Sequence, residues 1–276
     1  MNRDILNGFL KNENDLEGWF FPPDMLSLAV LNNIHSKNNI IGNIVEIGVY
    51  KGKSFSFLSH LTKQNETLFG YDTFPEDYYE SSKLALEKYG ASVKYELIKA
   101  DTSELNDDDI KAKIDGKLIR ILHIDAGHEY HEVFHSLLSF SPYVVDAGII
   151  VMDDYQDPEF PGIEAAVLDF CEIDRPRRFI PFFSGTNKIY LCSTHMAEMY
   201  QQYMLSSEIF KDSSRCTIVR DFAILKGFSK LPTSYEKTKK NLSKFYESRD
   251  IYLGTSYQYL DNIKIQAKKF GQQKTM

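Results

Sequence analysis

The chain has 276 residues, a formal net charge of −7, 43% hydrophobic residues and 26% charged residues. That length suits one large α/β domain, or one domain with an appendage, and the apolar share is enough for a sizeable core. The negative charge argues against a nucleic-acid backbone or an anionic membrane surface as main partner, so a small molecule is expected instead. Cys171, Cys192 and Cys216 show no CxxC or metal-finger spacing and read as reduced thiols. The amino terminus is too polar for a signal peptide, and no apolar run approaches membrane-spanning length; a cytoplasmic protein is expected.

Residues 1–40 read as a mainly helical, peripheral cap. Asp24 is a plausible N-cap for a helix carrying Met25, Leu28, Ala29 and Leu31. Before it, Trp19, Phe20 and Phe21 form an aromatic cluster that either packs on the core or closes over a site as a flap. Residues 41–194 then alternate strand and helix. Asn43 to Ile47 read as a strand, Gly48 to Gly52 as a tight turn, and Ser54 to Leu61 as a helix. Glycines flanking such a turn let a ligand approach the backbone closely, and the helix presents its N-terminal N–H groups. The loop lacks the third glycine of GxGxxG and the GxxxxGK spacing of a P-loop.

The next strand, Thr67 to Tyr71, ends in Asp72. A carboxylate at that tip can accept two hydroxyl hydrogen bonds from a ribose diol. A helix over 78–89 and a strand over 95–99 follow. Asp101, Thr102 and Ser103 come next, as candidates to flank an adenine, although D-T-S-E also reads as a helix cap. Asp107 to Asp109 read as a solvated helix start. The fourth strand, Leu118 to Ile124, runs into Asp125 and His128, and the fifth, Ile149 to Val151, ends in Asp153 and Asp154. Both are short apolar runs of the kind found in central parallel strands, whose carboxyl ends line the ligand crevice. If the two strands are neighbours, Asp125, Asp153 and Asp154 converge there with His128. Crowded carboxylates call for a cation, and oxygen donors suit Mg²⁺, Mn²⁺ or Ca²⁺. The alternative for Asp153 or Asp154 is a helix cap. His123, His131 and His135 read as structural.

A helix beginning at Pro161 and a hairpin (Phe179 to Phe183, the turn SGTN, then Lys188 to Cys192) complete the series. The expected fold is α/β: a seven-stranded, mostly parallel sheet finished by an antiparallel hairpin. Residues 195–276 are Tyr- and Lys-rich and read as a mainly helical appendage, helical over 237–270 and frayed at the end, serving oligomerisation or substrate enclosure.

Taken together, VEIGVYKGKS, GYDTF, LHIDAGHEYHEV and GIIVMDDY resemble the Rossmann-like class I methyltransferases that use S-adenosylmethionine. More narrowly, they resemble the metal-dependent enzymes that O-methylate sugars of macrolide and aminocoumarin antibiotics, the macrocin and mycinamicin O-methyltransferases. The resemblance spans roughly residues 15–195. It implies methyl transfer to a hydroxyl of a small molecule, a sugar or other vicinal diol of a natural product or surface glycan. It also implies S-adenosylmethionine held by Glu46, Gly48, Tyr50, Gly52, Ser54, Asp72, Asp101, Thr102 and Asp125, and Mg²⁺ or another divalent cation held by Asp125, Asp153 and Asp154. His128 matches the general base of some members. Others carry a base aspartate where this chain has Gly127. Two alternatives stand beside this reading: an iron-dependent, hydroxylase-like metalloenzyme on the same scaffold, and a nicotinamide-dependent oxidoreductase.

Overall fold

The computed structural model describes residues 3–114, 118–173 and 177–247. The expected helix over 237–270 begins within them, as α9, while residues 248–276 lie outside. In chain order the elements are α1 (Arg3–Asn12), α2 (Pro22–Lys37), β1 (Asn43–Ile47), α3 (Lys53–Ser59), β2 (Thr67–Asp72), α4 (Tyr78–Tyr89) and β3 (Lys94–Lys99). They continue with α5 (Asp107–Lys113), β4 (Ile119–Ile124), α6 (Tyr130–Phe140), β5 (Val144–Met152), α7 (Pro161–Ile173), β6 (Phe179–Ser184) and β7 (Ile189–Ser193). Last come α8 (Ala197–Ser206), β8 (Arg215–Val219), β9 (Phe222–Lys226) and α9 (Tyr235–Glu247).

The strands form one sheet in the order β3-β2-β1-β4-β5-β7-β6-β9-β8. The first five are parallel, and β7 runs antiparallel between β5 and β6. Two strands exceed expectation. The segment read as a mainly helical appendage contributes β8 and β9 besides helices, and β9 pairs in parallel with β6. Its alternating CTIV and FAIL runs are short, so the only sequence signal was a pair of brief apolar stretches around Arg220. What recruits them is the open edge of β6, which would otherwise leave backbone groups unpaired.

Side chains alternate across the central strands, so each face has its own core. Val45, Ile47, Leu122, Ile124 and Ile150 pack under α6 and α7. Ile44, Ile121, Ile149 and Val151 pack on the other face against α2 and α8. The amino-terminal segment was expected at the periphery. Instead Met25, Leu28, Leu31 and Ile34 of α2 are fully buried and form part of this second core. All three cysteines are free thiols. Among the described residues no helix is long and apolar enough to cross a membrane.

A buried ion pair anchors α2 to the sheet. Arg120, fully buried in β4, donates from Nε to Glu66 Oε1 at 2.7 Å and from Nη2 to Oε2 at 2.8 Å. Its remaining donors reach Asn32 Oδ1 of α2, the Leu61 carbonyl and the ring of His35. Burial, then the neighbouring guanidinium, depresses the His35 pKa well below the usual range. His35 is therefore neutral, accepts from Arg120 at Nδ1 and donates from Nε2 to Tyr200 of α8, whose hydroxyl donates to the Ala147 carbonyl of β5. Removing one partner strands a buried charge. Glu66→Ala is expected to lower stability by about 3–5 kcal/mol, with most of the loss restored when Arg120→Met is added, as read from urea unfolding midpoints.

Candidate active site

The tips of the parallel strands are joined by backbone hydrogen bonds. Gly48 N donates to the Tyr71 carbonyl, Asp125 N to Ile47, Asp153 N to Ile124, and Ala100 N to Asp72. The loops after β1, β2, β3 and β4 therefore leave the sheet side by side. Between them lies an open cleft lined by Ile47, Gly48, Tyr71, Asp72, Thr73, Ala100, Asp101, Thr102, Ser103, Ala126, Gly127, Glu132 and Ser136. Four of the expected cofactor residues are in this wall: Gly48, Asp72, Asp101 and Thr102. Glu132 and Ser136, from α6, were missed because nothing in a helix sequence tells which face will turn toward a cleft.

The glycine after β1 has a steric reason. Gly48 has φ +86°, and a Cβ there would lie 1.9 Å from the Asp125 carbonyl oxygen. Only a hydrogen lets the β1 and β4 loops approach this closely. Gly52, at φ +85°, caps α3 and packs against Ser82 of α4. Asp72 serves its own loop first: Oδ2 accepts from the backbone N–H of Val49 and of Tyr50, both at 2.8 Å, and Oδ1 from Phe74 N at 2.6 Å. Oδ2 is thereby filled, while Oδ1 still has an acceptor site for a ligand hydroxyl. Asp101 Oδ1 accepts from the hydroxyl and the N–H of Ser103, which hold its pKa below the ordinary carboxylate value.

Tyr50, Gly52, Ser54, Glu46 and Asp125 are not in the cleft wall. At φ +52° the chain turns Tyr50 outward, where its ring meets Tyr78 and Trp19 and its hydroxyl donates to Glu17. Ser54 is buried in the first turn of α3. Glu46 is fully buried and its Oε1 lies 2.8 Å from His123 Nδ1 on the neighbouring strand. The aromatic trio also divides. Phe20 is buried against Phe57 and His123, whereas Trp19 is 70% exposed.

The acidic tips of β4 and β5 do not converge as one group. The β6–β7 turn reaches into them. Lys188, fully buried, donates its ammonium to Asp153 Oδ2. Asn187 Nδ2 and the Asp154 N–H both donate to Asp153 Oδ1, at 2.9 and 2.8 Å. Both oxygens of Asp153 are thus engaged by donors. Asp154, at φ +50°, turns toward the β4 loop, and its Oδ2 lies 3.2 Å from His128 Nε2. Phe160 stacks on the His128 ring with centroids 4.1 Å apart.

Electrostatics follow this pairing. Burial, then the Asp153 charge, raises the Asp125 carboxyl well above its ordinary range. Burial would raise Asp153 too, but the Lys188 ammonium and His123 outweigh it, and Asp153 is lowered. Asp125 therefore holds the proton of the pair and Asp153 the charge. For Lys188, burial pulls the pKa down, but Asp153, Asp125 and Asp24 together hold it above the usual lysine range. Among the described residues the one group of candidate metal ligands is His123, Asp125 and Asp153, with donor atoms within 4.8 Å of one another. It leaves out Asp154 and includes a histidine expected to be structural. Hard divalent ions ask for free, charged carboxylate oxygens. With both oxygens of Asp153 taken by Lys188, Asn187 and the Asp154 N–H, and Asp154 turned to His128, these residues do not fit Mg²⁺ shared by the three aspartates.

Residues 45–155 match a family model described as a methyltransferase domain. The match begins inside β1 and ends just past the paired aspartates, so it holds the whole cleft wall. No curated protein matches the chain. Among solved structures it is similar to CalS11, titled a TDP-rhamnose 3′-O-methyltransferase of calicheamicin biosynthesis. The two are 17% identical, with a TM-score of 0.50 over 68% of this chain and 93% of that one. It is likewise similar to the O-methyltransferase NovP, at 17% identity and a TM-score of 0.50 over 62% of this chain and 80% of that one. At such identity these likenesses speak for the fold. They agree with the strand order 3-2-1-4-5-7-6, here extended by two strands.

The tightest steric point beside the cleft gives a direct test. Gly48→Ala should push the β4 loop outward and weaken S-adenosylhomocysteine binding at least about tenfold by calorimetry, a loss of about 1.4 kcal/mol or more. Asp101→Ala, on the open side of the cleft, should weaken it less.

Proposed function

We propose that this protein transfers a methyl group from S-adenosylmethionine to a hydroxyl of a small molecule. The carrying observation is the charge of the cleft beside the glycine turn. Asp72, Asp101 and Glu132 line it, and among the described residues no lysine or arginine does. Such a wall suits a cofactor with nucleoside hydroxyls and a cationic sulfonium. It is unfavourable for the pyrophosphate of a nicotinamide dinucleotide, which needs N–H donors and positive potential. Gly48, Asp72, Asp101 and Thr102 are the residues that would hold the nucleoside. When bound, S-adenosylmethionine supplies an electrophilic methyl group on sulfur.

The protein's own part is to hold the acceptor and take its proton. With His128 Nε2–H donating to Asp154 Oδ2, the lone pair is on Nδ1, the atom that accepts the hydroxyl proton. Asp154 then faces the imidazolium that forms and stabilises it. Phe160 fixes the ring plane. In this scheme Asp154 orients the base and is not a metal ligand. No step runs through a divalent ion, because the aspartates expected to hold one are already paired. The acceptor class follows from CalS11, whose title names a sugar nucleotide: glycosides and other vicinal diols are the compounds to try first. The net charge of −7 supports a small molecule over nucleic acid or membrane as partner.

The test is transfer of labelled methyl from S-adenosylmethionine to a panel of glycosides and catechols. His128→Ala should lower kcat about 10²–10⁴-fold while leaving S-adenosylhomocysteine binding intact. Asp154→Asn should lower kcat less and shift the acid limb of its pH profile. Failure of the wild-type chain to bind S-adenosylmethionine at all would overturn the proposal and turn attention to oxygen and iron chemistry.

A further inference from the structure

The face of the sheet under α2 carries a polar cluster that the proposed reaction does not use. Asp24 and Lys188 are fully buried there, and Asp153 nearly so. Asp24 comes from the first turn of α2, Asp153 from the tip of β5, and Lys188 from the turn before β7. Asp125 lies beside Asp153 and bonds to it, and Asp153, Asp125 and Asp24 all lie within electrostatic reach of Lys188. Phe20 closes the cluster on the remaining side, its ring centroid 5.2 Å from Lys188 Nζ. Two buried atoms at its margin, His123 Nε2 and Glu46 Oε2, have no hydrogen-bond partner.

A lysine fully enclosed by carboxylates and an aromatic face is a fixed charge, since there is no room for it to swing into solvent without opening α2 and Phe20. It bonds to Asp153, one of the candidate metal ligands at this tip. A divalent ion binding there would share that carboxylate with an ammonium in a buried space, and the two cations would repel each other strongly.

We propose that Lys188 is the resident cation of this centre: its ammonium, bonded to Asp153 beside Asp24 and Asp125, stands where a divalent ion would bind, supplies a single positive charge in its place and keeps Mg²⁺ and Mn²⁺ out. The expectation of a metal-dependent transferase came from the acidic motifs alone, and Lys188 lies outside them. The inference rests on the methyltransferase reading only for why a cation is wanted beside the cleft. Metal binding can be measured with no cofactor or acceptor present, so either idea can fail without the other.

The experiment is electron paramagnetic resonance of Mn²⁺ added to the metal-stripped full chain, which reads free Mn²⁺ directly. The wild-type chain should leave the free Mn²⁺ signal unchanged. Lys188→Gln should take up one equivalent, at least about tenfold more tightly than wild type, and Lys188→Gln with Asp153→Asn should lose that uptake. Mn²⁺ uptake by the wild-type chain that Asp153→Asn abolishes would overturn the proposal. So would a folded Lys188→Gln chain that binds no Mn²⁺, since the lysine would then not stand in an ion's place. Should Lys188→Gln fail to fold, the wild-type chain still decides. No Mn²⁺ uptake, with S-adenosylhomocysteine binding unchanged by EDTA, supports the resident lysine; Asp153-dependent uptake overturns it.

Discussion

Too many carboxylates are buried at one end of one sheet, and the rest of the site depends on how they are neutralised. Asp24, Glu46, Asp125 and Asp153 lie within the same polar cluster, and desolvation by itself pushes the Asp24, Asp125 and Asp153 carboxyls upward. Burial pushes Asp24 up to about 6 even with the Lys188 charge opposing it. One ammonium and one proton resolve the conflict: Lys188 keeps Asp153 charged, and Asp125 stays protonated beside it. Glu46 is placed against His123. The arrangement leaves Asp154 free to turn the other way and orient His128. This charge balance thus divides what looks like a single acidic site into a closed half and an open half.

The open half belongs to the backbone as much as to side chains. The β1 loop can pass over the β4 loop only because Gly48 has no Cβ, and the same loop is held down by Asp72 through the Val49 and Tyr50 amides. A single carboxylate therefore shapes the glycine turn and still offers an acceptor site, on Oδ1, to the cleft. The cleft is acidic on several sides, which suits a cofactor whose reactive end is cationic. Selectivity of this kind comes from the sign of the surrounding charge, before any specific contact is made.

The closed half is a product of remote chain segments. Asp24 and Phe20 come from the amino-terminal region, which is also tied to the glycine loop. Lys53 pairs with Glu13 at 2.6 Å, and Tyr50 and Lys51 meet Glu17. At its far end, α2 is fixed through His35 and Asn32 to the Arg120–Glu66 pair. The amino-terminal region is thus a lid in the literal sense of covering polar groups, but a bolted one. The carboxyl-terminal region plays the complementary part at the opposite edge, where β9 and β8 cover β6 and Gln201 of α8 donates to the Phe182 and Ala223 carbonyls.

Much of this was legible in the sequence. Apolar runs ending in acid marked β1, β2, β4 and β5, and the turn SGTN marked the β6–β7 hairpin, because strand burial and turn chemistry are local properties of neighbouring residues. So are Asp72 at a strand tip and Gly48 in a turn. Asp24 was expected as the N-cap, but α2 begins earlier, with Phe21 as its N-cap, because the two prolines take the first helical positions; Asp24 sits at the third and accepts the Phe21 N–H. Its second role was not legible, since nothing nearby in sequence announces Lys188. His123 read as structural because a lone histidine in a strand gives no hint of the glutamate beside it in β1. The sequence by itself determined the strands, the glycine turn and the acidic tips, each set by interactions a few residues long. Only the tertiary structure decided which cation meets those acids, because Coulomb energy depends on distance in space, and Lys188 and Asp24 approach Asp153 only after the chain has folded.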